Sequence, residues 1–448
     1  MSSLTGTAAL GERDVAARQR STTGHLGWLG VVRLGLVQAS LGSVVVLATS
    51  TMNRVMVVEL ALPAVVPGAL IALHYFVQML RPRLGHGSDR GGRRTPWILG
   101  GMALLSAGAV AAAACIVLMA REPAAGCALA AVAFAMIGLG VGSSGTSLLV
   151  LLAQRVSPAR RPMAAAAVWL MMIAGLAVTA TVAGLLLEPY SPGRLLTVTS
   201  AVGVIALILT AVATWNVEPR APARPPVRPP APGSAGANFR AALSEVWAEP
   251  TARRFTVFVF VSMLAYSSQD LVLEPFAGAV FGYSPGATTR LSGVLHGGVL
   301  AGMLIFAVVG TLSGRAGAAV LRRWTAGGCA ASSLALLGLI AAAVAGPSWP
   351  LRPTVFLLGV ANGAFAVAAI SSMMTLAGAG RAGREGVRMG LWGGAQAVAF
   401  GAGGVLAPAL SDLAHHIIAA GGSAYAFVFA GQAALFLAAA WLAARAPR

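Results

Sequence analysis

The stretch RPRLGHGSDRGGRRTPW, residues 81–97, is a short polar segment between two long apolar ones. It contains five arginines and a single acid, Asp89. PAVVPGALIALHYFVQML precedes it, and ILGGMALLSAGAVAAAACIVLMA follows it. A polar loop between two segments of this length is typical of a chain that crosses a membrane and returns.

The composition of the whole chain supports the same interpretation. Of its 448 residues, 57% are hydrophobic and 10% are charged, and the mean hydropathy is +0.81. A soluble domain carries about 25% charged residues, so this chain would expose too much apolar surface to water. The N-terminal segment before Trp28 is polar and carries charges of both signs, which a cleavable signal peptide does not. The sequence therefore predicts an all-α integral membrane protein.

Twelve apolar segments are long enough to cross a bilayer, which takes about 20 residues. No ten-residue runs alternate with period two, so a membrane β-barrel is not expected. The predicted spans are 28–51, 60–80, 97–120, 125–153, 163–187, 195–216, 254–280, 290–313, 324–346, 353–378, 388–411 and 424–444.

The arginines predict the orientation of these spans. All 31 basic residues are arginine, and 26 of them fall on the side that holds both termini and the even-numbered loops. The positive-inside rule places that side, with both termini, on the cytoplasmic side of a bacterial inner membrane. The net charge of +18 is spread over short loops, so we expect contact with anionic lipid headgroups and not with nucleic acid.

A proline-rich stretch divides the chain into two sets of six spans. EPRAPARPPVRPPAPGSAGAN, residues 218–238, is expected to be an extended linker. Asn238 can cap a short helix that lies on the membrane. The alternative is that this segment extends the seventh span. The predicted organisation has four parts. They are a cytoplasmic tail (1–27), an N-terminal six-helix bundle (28–216), a linker with its short helix (217–253) and a C-terminal six-helix bundle (254–448).

Similar short sequence motifs occur in both sets of spans, in the same order and at a nearly constant separation. NRVMVVELALP, residues 53–63, resembles SQDLVLEPFAG, residues 268–278. RPMAAAAVW, residues 161–169, resembles REGVRMGLW, residues 384–392. A constant separation and order predict two pseudo-symmetric halves, related by an axis along the membrane normal as in major-facilitator proteins.

The opening stretch contains GHGSDRGGRR, which fits the pattern G-x-x-x-D-R-x-G-R-R and resembles the signature loop of the major facilitator superfamily. Its glycines allow a tight turn, and a carboxylate can bind an arginine on a neighbouring helix end as a releasable latch. The alternative is a topology-setting loop with an incidental acid. The candidate gate residues are Gly85, Asp89, Arg90, Gly92, Arg93 and Arg94.

Three stretches resemble a narrower family within that superfamily. They are similar to the bacteriochlorophyll delivery family, whose members include PucC and LhaA. The stretches are STMNRVMVVELALPAVVPGALIALHY, RPRLGHGSDRGGRRTPWI and QDLVLEPFAGAVFGYSPGATTRLSG. The compact loop, without the longer insertion of PucC and LhaA, places the chain nearest to the member linked to bacteriochlorophyll synthase as a subunit. The resemblance implies pigment handling, or assembly of light-harvesting and other photosynthetic complexes. Light-harvesting polypeptides, pigment-biosynthesis enzymes and bacteriochlorophyll or its precursor are the implied partners.

Two histidines fall within predicted spans and are candidate ligands for the Mg of a bound pigment. His74 lies in the second span and His296 in the eighth, which is its counterpart in the repeat. A role in packing or in hydrogen bonding to a backbone carbonyl is the alternative. The spans are otherwise apolar and rich in small residues and methionine, which favours a large apolar ligand.

Five charged residues are predicted at or near the outer ends of helices. Glu59 is expected to pair with Arg54 and Glu274 with Arg290, because an isolated charge in the bilayer costs roughly 2.5–3.5 kcal/mol. Asp270 is left without a partner and is the candidate for proton coupling. Ion pairing between helix ends is the alternative to a gate or docking role.

No enzyme motif is present in the sequence. There is no phosphate-binding loop, dinucleotide fingerprint or paired acidic cluster for a diphosphate, and the three cysteines lack metal-ligand spacing. Two non-enzymatic functions remain: a bacteriochlorophyll-handling or assembly factor, and a secondary transporter that exports an apolar small molecule.

Overall fold

A computed structural model describes residues 26–80, 93–157, 160–218, 244–312, 318–379, 385–418 and 421–445. Within these ranges the chain forms twelve long helices. They are α1 (Trp28–Glu59), α2 (Val65–Leu80), α3 (Thr95–Met119), α4 (Pro123–Arg155), α5 (Arg161–Leu186), α6 (Pro192–Thr214), α7 (Pro250–Phe281), α8 (Pro285–Leu312), α9 (Ala318–Ala345), α10 (Leu351–Ala379), α11 (Glu385–Ile417) and α12 (Gly421–Ala444). Of the described helices, eleven are long and apolar enough to cross a membrane, and α2 is a shorter apolar helix. The chain is a multi-pass membrane protein.

The end of α1 was predicted wrongly. The first span was expected to end at residue 51 and the second to begin at 60, which would have put Arg54 between the two spans and Glu59 at the outer end of the second. Instead α1 continues to Glu59 through two π-helical turns, Leu47–Thr51 and Val55–Glu59, and α2 begins at Val65. Polar residues in this stretch look like the end of a span, but here their side chains bind the other half of the protein.

Helix packing repeats with a shift of six helices. In the N-terminal half α1 packs on α5 and α6, α3 packs on α4 and α6, and α2 packs on α4. In the C-terminal half α7 packs on α11 and α12, α9 packs on α10 and α12, and α8 packs on α10. Each half has its own main apolar core, and a small third cluster joins Ile173 of α5 to Val299 and Met303 of α8. This is the pseudo-symmetric arrangement that the sequence repeat predicts.

The two halves meet along two helix pairs, α2 with α11 and α5 with α8. Each pair crosses at a pair of glycines. A Cβ at Gly68 would lie 2.3 Å from the backbone oxygen of Gly404, and a Cβ at Gly286 would lie 2.5 Å from that of Gly184. The interval from Gly68 to Gly286 is nearly the same as the interval from Gly184 to Gly404. The repeat thus places the same close backbone contact on both sides of the interface.

The helix bundle has two distinct ends. The termini end holds the start of α1, the end of α12 and the ends of even-numbered helices. The far end holds the connections from each odd-numbered helix to the next. At the termini end, residues 244–248 are helical and a bend at Glu249 separates them from α7. The remainder of the predicted linker and its short helix, residues 219–243, lies outside the described residues.

Replacing a crossing glycine should weaken the contact between the halves. Gly68→Val and Gly184→Val place a side chain where a backbone oxygen already lies, and overpacking of this kind costs about 1–3 kcal/mol. We expect a lower unfolding temperature in detergent for both variants.

Gly100→Val is the matched control, because a Cβ at this position on α3 meets no atom within 4 Å. If all three variants unfold at the same temperature, the glycine crossings do not hold the halves together.

Candidate functional site: a polar gate between the halves

Arg54 crosses from one half to the other at the far end. Its side chain is only 3% exposed. One terminal nitrogen pairs with Glu59, as predicted, and the other donates to the backbone oxygen of Tyr283 in the opposite half at 2.7 Å. The guanidinium lies over Gly278 of α7, where a Cβ would be 3.0 Å from Nε. The absence of a side chain at Gly278 therefore makes room for the arginine.

Asn53, the residue before Arg54, binds a carbonyl that a proline has freed. Pro275 lies within α7 and has no N–H, so the backbone oxygen of Leu271 one turn earlier lacks its helical donor. The side-chain amide of Asn53 donates to that oxygen at 2.8 Å. The sequence pairs NRVMVVEL with QDLVLEPF as repeats, and the structure brings these two segments into contact.

Hydroxyl pairs join α1 to α8 immediately below these contacts. The Oγ atoms of Ser50 and Ser292 are 3.2 Å apart, and the Oγ1 atoms of Thr51 and Thr289 are 2.9 Å apart. All four side chains are buried. Such pairs satisfy polar groups that hydrocarbon could not.

Two carboxylates form matching contacts across the interface. Asp412 of α11 accepts from the backbone N–H groups of Ala64 and Val65, both at 2.8 Å, at the start of α2. Glu188, just after α5, accepts from the hydroxyl of Ser284 at the start of α8. A helix N-terminus has unpaired N–H groups and a partial positive charge, so it attracts an anion.

Glu188 also replaces the predicted partner of Arg290. The carboxylate lies 3.6 Å from the guanidinium of Arg290, which additionally donates to the backbone oxygen of Gly184 at 3.2 Å. The predicted Glu274–Arg290 pair is therefore wrong, because Arg290 lies on the face of α8 that packs on α5. We call Arg54, Glu59, Tyr283, Glu188 and Asp412, with their partners, the far-end gate.

Tyr190 lies beside the Arg54–Glu59 pair, in the connection between α5 and α6. Burial raises the pKa of its hydroxyl to about 12, and the Glu59 carboxylate acts in the same direction. Tyr190 therefore stays neutral at physiological pH and adds no charge to the gate.

The two acids of α7 lie inside the protein and not at a helix end. Glu274 is 1% exposed and Asp270 is half-buried. The carboxylate oxygens of Glu274 make no well-formed hydrogen bond within the described residues, although Thr288, Ser292 and Arg54 lie beside them. The prediction that these acids sit near an outer helix end is corrected, since α7 continues beyond Glu274 to Phe281.

A hydrogen-bonded chain crosses the C-terminal half at the same depth. The Asn362 amide of α10 donates to Gln269 of α7 at 3.0 Å, and Ser332 of α9 donates to Asn362 at 2.8 Å. The interior is therefore more polar than the composition of the spans indicates.

The two candidate histidines differ in their surroundings. His296 is 4% exposed, and its Nδ1 donates to the backbone oxygen of Ser292 at 2.8 Å; in the neutral ring this tautomer has its lone pair on Nε2. Asp270 lies close enough to interact with this ring electrostatically. His74 is 1% exposed, and its Nε2 lies 3.0 Å from the side-chain nitrogen of Gln78.

The end of the signature loop connects to the start of α3. Gly85, Asp89, Arg90 and Gly92 lie outside the described residues, whereas Arg93 is exposed and Arg94 is buried. The carboxylate of Glu218, from beyond α6, accepts from the backbone N–H groups of Arg94 and Thr95 at 2.7–2.9 Å. Glu218 thereby caps α3 and ties the end of the loop to the N-terminal half.

A cavity of about 320 Å³ lies against the gate, between the far ends of α1, α7, α11 and α12. Asn53, Asp412, His415 and Tyr425 are among its lining residues. Between described residues, the hydrogen bonds and ion pairs that join the halves lie toward this far end. The protein is therefore closed at its far end.

Glu188 and Asp412 were not anticipated from the sequence. Their separation is close to that of the repeat, so the repeat could have pointed to them. One is a glutamate after its helix and the other an aspartate within it, so no motif relates them.

Cysteine pairs can test the closed far end. Ser50→Cys with Ser292→Cys, in a background lacking the three native cysteines, should form a disulfide on mild oxidation, because the two side-chain oxygens already touch. Mass spectrometry of tryptic peptides detects the link. Adding Glu188→Gln and Asp412→Asn should slow its formation, since two contacts at helix N-termini are weakened.

Ser43→Cys with Ser292→Cys is a control pair, because Ser43 bonds within its own half. Equal cross-linking of both pairs, or no effect of the carboxylate substitutions, would contradict the gate.

Comparison with known proteins agrees with this architecture. The family model described as PUCC protein matches residues 51–447. The bacteriochlorophyll synthase 44.5 kDa chain of Rhodobacter capsulatus is 50% identical over 419 residues, covering 93% of this chain and 95% of that protein. Protein PucC of Rhodovulum sulfidophilum is 31% identical over 398 residues, covering 85% of each chain.

A solved structure confirms the fold. A bacterial homologue of the human lysosomal transporter Spinster superposes with a TM-score of 0.64 over 93% of this chain and 94% of that one, at 15% identity. The twelve helices thus have the major facilitator fold, as the sequence predicts. The match to the family model over nearly the whole chain, together with these relatives, shows that this chain belongs to the PucC family.

Proposed function

We propose that this chain is a non-enzymatic membrane protein that handles bacteriochlorophyll or a precursor and delivers it during assembly of light-harvesting or other photosynthetic complexes. It acts in the bacterial inner membrane with both termini in the cytoplasm, where the arginine-rich loops meet anionic lipids. Membership of the PucC family and 50% identity to a protein named for bacteriochlorophyll synthase support the choice of pigment.

The observation that carries the proposal is the state of His296. A metal-ligating histidine almost always donates its second ring nitrogen to a carbonyl or carboxylate, which orients the ring and fixes the tautomer. His296 makes this bond to Ser292. Neutral imidazole with a lone pair on Nε2 is the form that coordinates a metal, so the residue fits the Mg of a tetrapyrrole. His74 stays a candidate, although Gln78 lies against its Nε2.

Four of the described acids have structural roles, which supports a function without catalysis. Glu218 caps α3, Asp412 binds the start of α2, and Glu59 pairs with Arg54. Glu249 accepts two hydrogen bonds from Arg388, which is 1% exposed. Each of these four carboxylates already has a structural partner. A site for Mg and a diphosphate would need several carboxylates that are free to bind the metal.

Absorption spectra test the pigment assignment. The protein is expressed in a host that makes bacteriochlorophyll, purified in detergent and passed over a size-exclusion column. We expect a near-infrared band that co-elutes with it and that falls strongly in His296→Ala. Losing a group that hydrogen-bonds to a metal ligand costs about tenfold in affinity, and losing the ligand should cost at least as much.

His415→Ala is the matched control, because His415 also donates through Nδ1 to a carbonyl one turn earlier, at 2.7 Å. A band that depends on His74 instead would move the ligand to α2. A colourless protein would overturn pigment binding.

A second candidate function is export of an apolar small molecule by a proton-coupled cycle. The observation favouring it is the cluster formed by Asp270, Glu274 and His296 on α7 and α8, in which Glu274 and His296 are buried and Asp270 is half-buried. Buried ionisable residues in membrane helices commonly mark proton pathways. Asp270→Asn should then abolish resistance to the exported compound while pigmentation of the cells stays normal. Loss of photosynthetic complexes in a deletion strain, with normal resistance, would reject this alternative.

A further inference from the structure

A groove of about 680 Å³ runs between α9 and α10 on the outer surface of the C-terminal half. Small residues line its floor along α9, at Gly327, Ala331, Ala335 and Gly338. Leu334 and Leu357 border it and are exposed, so the groove opens toward the lipid.

The floor of the groove is open at Gly327, although the next residue is closely packed against α10. A Cβ at Gly328 would lie 2.8 Å from the backbone nitrogen of Phe365. A Cβ at Gly327 meets no atom within 4 Å. A helical glycine costs about 0.8–1.0 kcal/mol relative to alanine, and no contact among the described residues accounts for Gly327.

One rim of the groove carries a positive charge. Arg323 is exposed, and no acidic side chain among the described residues pairs with it. Its neighbour Trp324 packs edge-on against Phe306 with ring centroids 5.4 Å apart, which holds this rim in place. A guanidinium binds phosphate through two parallel hydrogen bonds and is less strongly hydrated than an ammonium group.

The size of the groove suits a hydrocarbon chain. The stretch of α9 from Arg323 to Gly338 rises about 22 Å along the helix axis. One leaflet of a bilayer core is about 15 Å thick, so a chain attached to a headgroup at Arg323 can lie along the floor. A partner helix of this length and about 10 Å in diameter would fill about 1,700 Å³, far more than the groove offers.

We propose that this groove is a binding site for an anionic phospholipid, whose phosphate contacts Arg323 and one of whose acyl chains lies over Gly327 and Ala331. The site is separate from the far-end gate and from the two candidate histidines. It would anchor α9 and α10 to the lipid leaflet at the termini end.

Native mass spectrometry of the full chain tests this site. Purified protein is titrated with phosphatidylglycerol or with phosphatidylcholine carrying the same acyl chains. We expect phosphatidylglycerol to bind preferentially. Arg323→Gln should weaken it about tenfold, which is the effect of losing one charge-assisted hydrogen bond. Gly327→Leu should fill the groove without disturbing the fold and should remove the bound lipid.

The controls are Arg352→Gln, an exposed arginine at the far end of α10, and Gly100→Leu, an open glycine on α3. Both should bind as the unmodified protein does. Undiminished binding in the Arg323 and Gly327 variants would overturn the site, and equal binding of the two lipids would overturn the role of the phosphate. If Gly327→Leu elutes as an aggregate, the surface substitution Arg323→Gln decides.

Discussion

The two halves of this protein meet in hydrocarbon, where burial of apolar side chains gives little driving force for helix association. Close backbone packing and polar contacts must supply it instead. The Gly68–Gly404 and Gly184–Gly286 crossings provide the first, since no side chain separates the backbones there. With the backbones this close, short side chains such as Ser50 and Ser292 can reach one another across the interface.

Helix N-termini are stabilised by carboxylates from other parts of the chain. Asp412 binds the start of α2, Glu188 binds the start of α8, and Glu218 binds the start of α3. An N-terminus within or near the membrane has few waters to satisfy its N–H groups, so an anion from a neighbour is strongly favoured. Two of these contacts join the halves and the third does not. The same interaction thus serves both closure of the far end and the integrity of a single half.

The interior combines a mainly apolar lining with a few buried polar groups near the middle of α7, α8 and α10. Asn362 donates to Gln269, whereas Glu274 has no well-formed hydrogen bond within the described residues and His296 is oriented by the bond from its Nδ1 to Ser292. A ligand that is mostly apolar with one coordinating centre fits this pattern better than a sugar or a peptide, which would need many hydrogen bonds. This pattern is the physical basis of the proposal that the ligand is a tetrapyrrole.

The sequence alone determined that the chain crosses the membrane about twelve times in two related halves. Span length and hydropathy depend on local composition, and the repeat depends only on order. It also paired Arg54 with Glu59, because the two are close in the sequence and an isolated charge in the bilayer is costly. The tertiary structure decided the contacts between distant segments. Arg290 pairs with Glu188 and not with Glu274. Asn53 donates to the carbonyl of Leu271 that Pro275 leaves without a donor, and α1 continues to Glu59. These outcomes depend on which helix faces meet, and hydropathy does not distinguish among the faces of helices that are apolar all round.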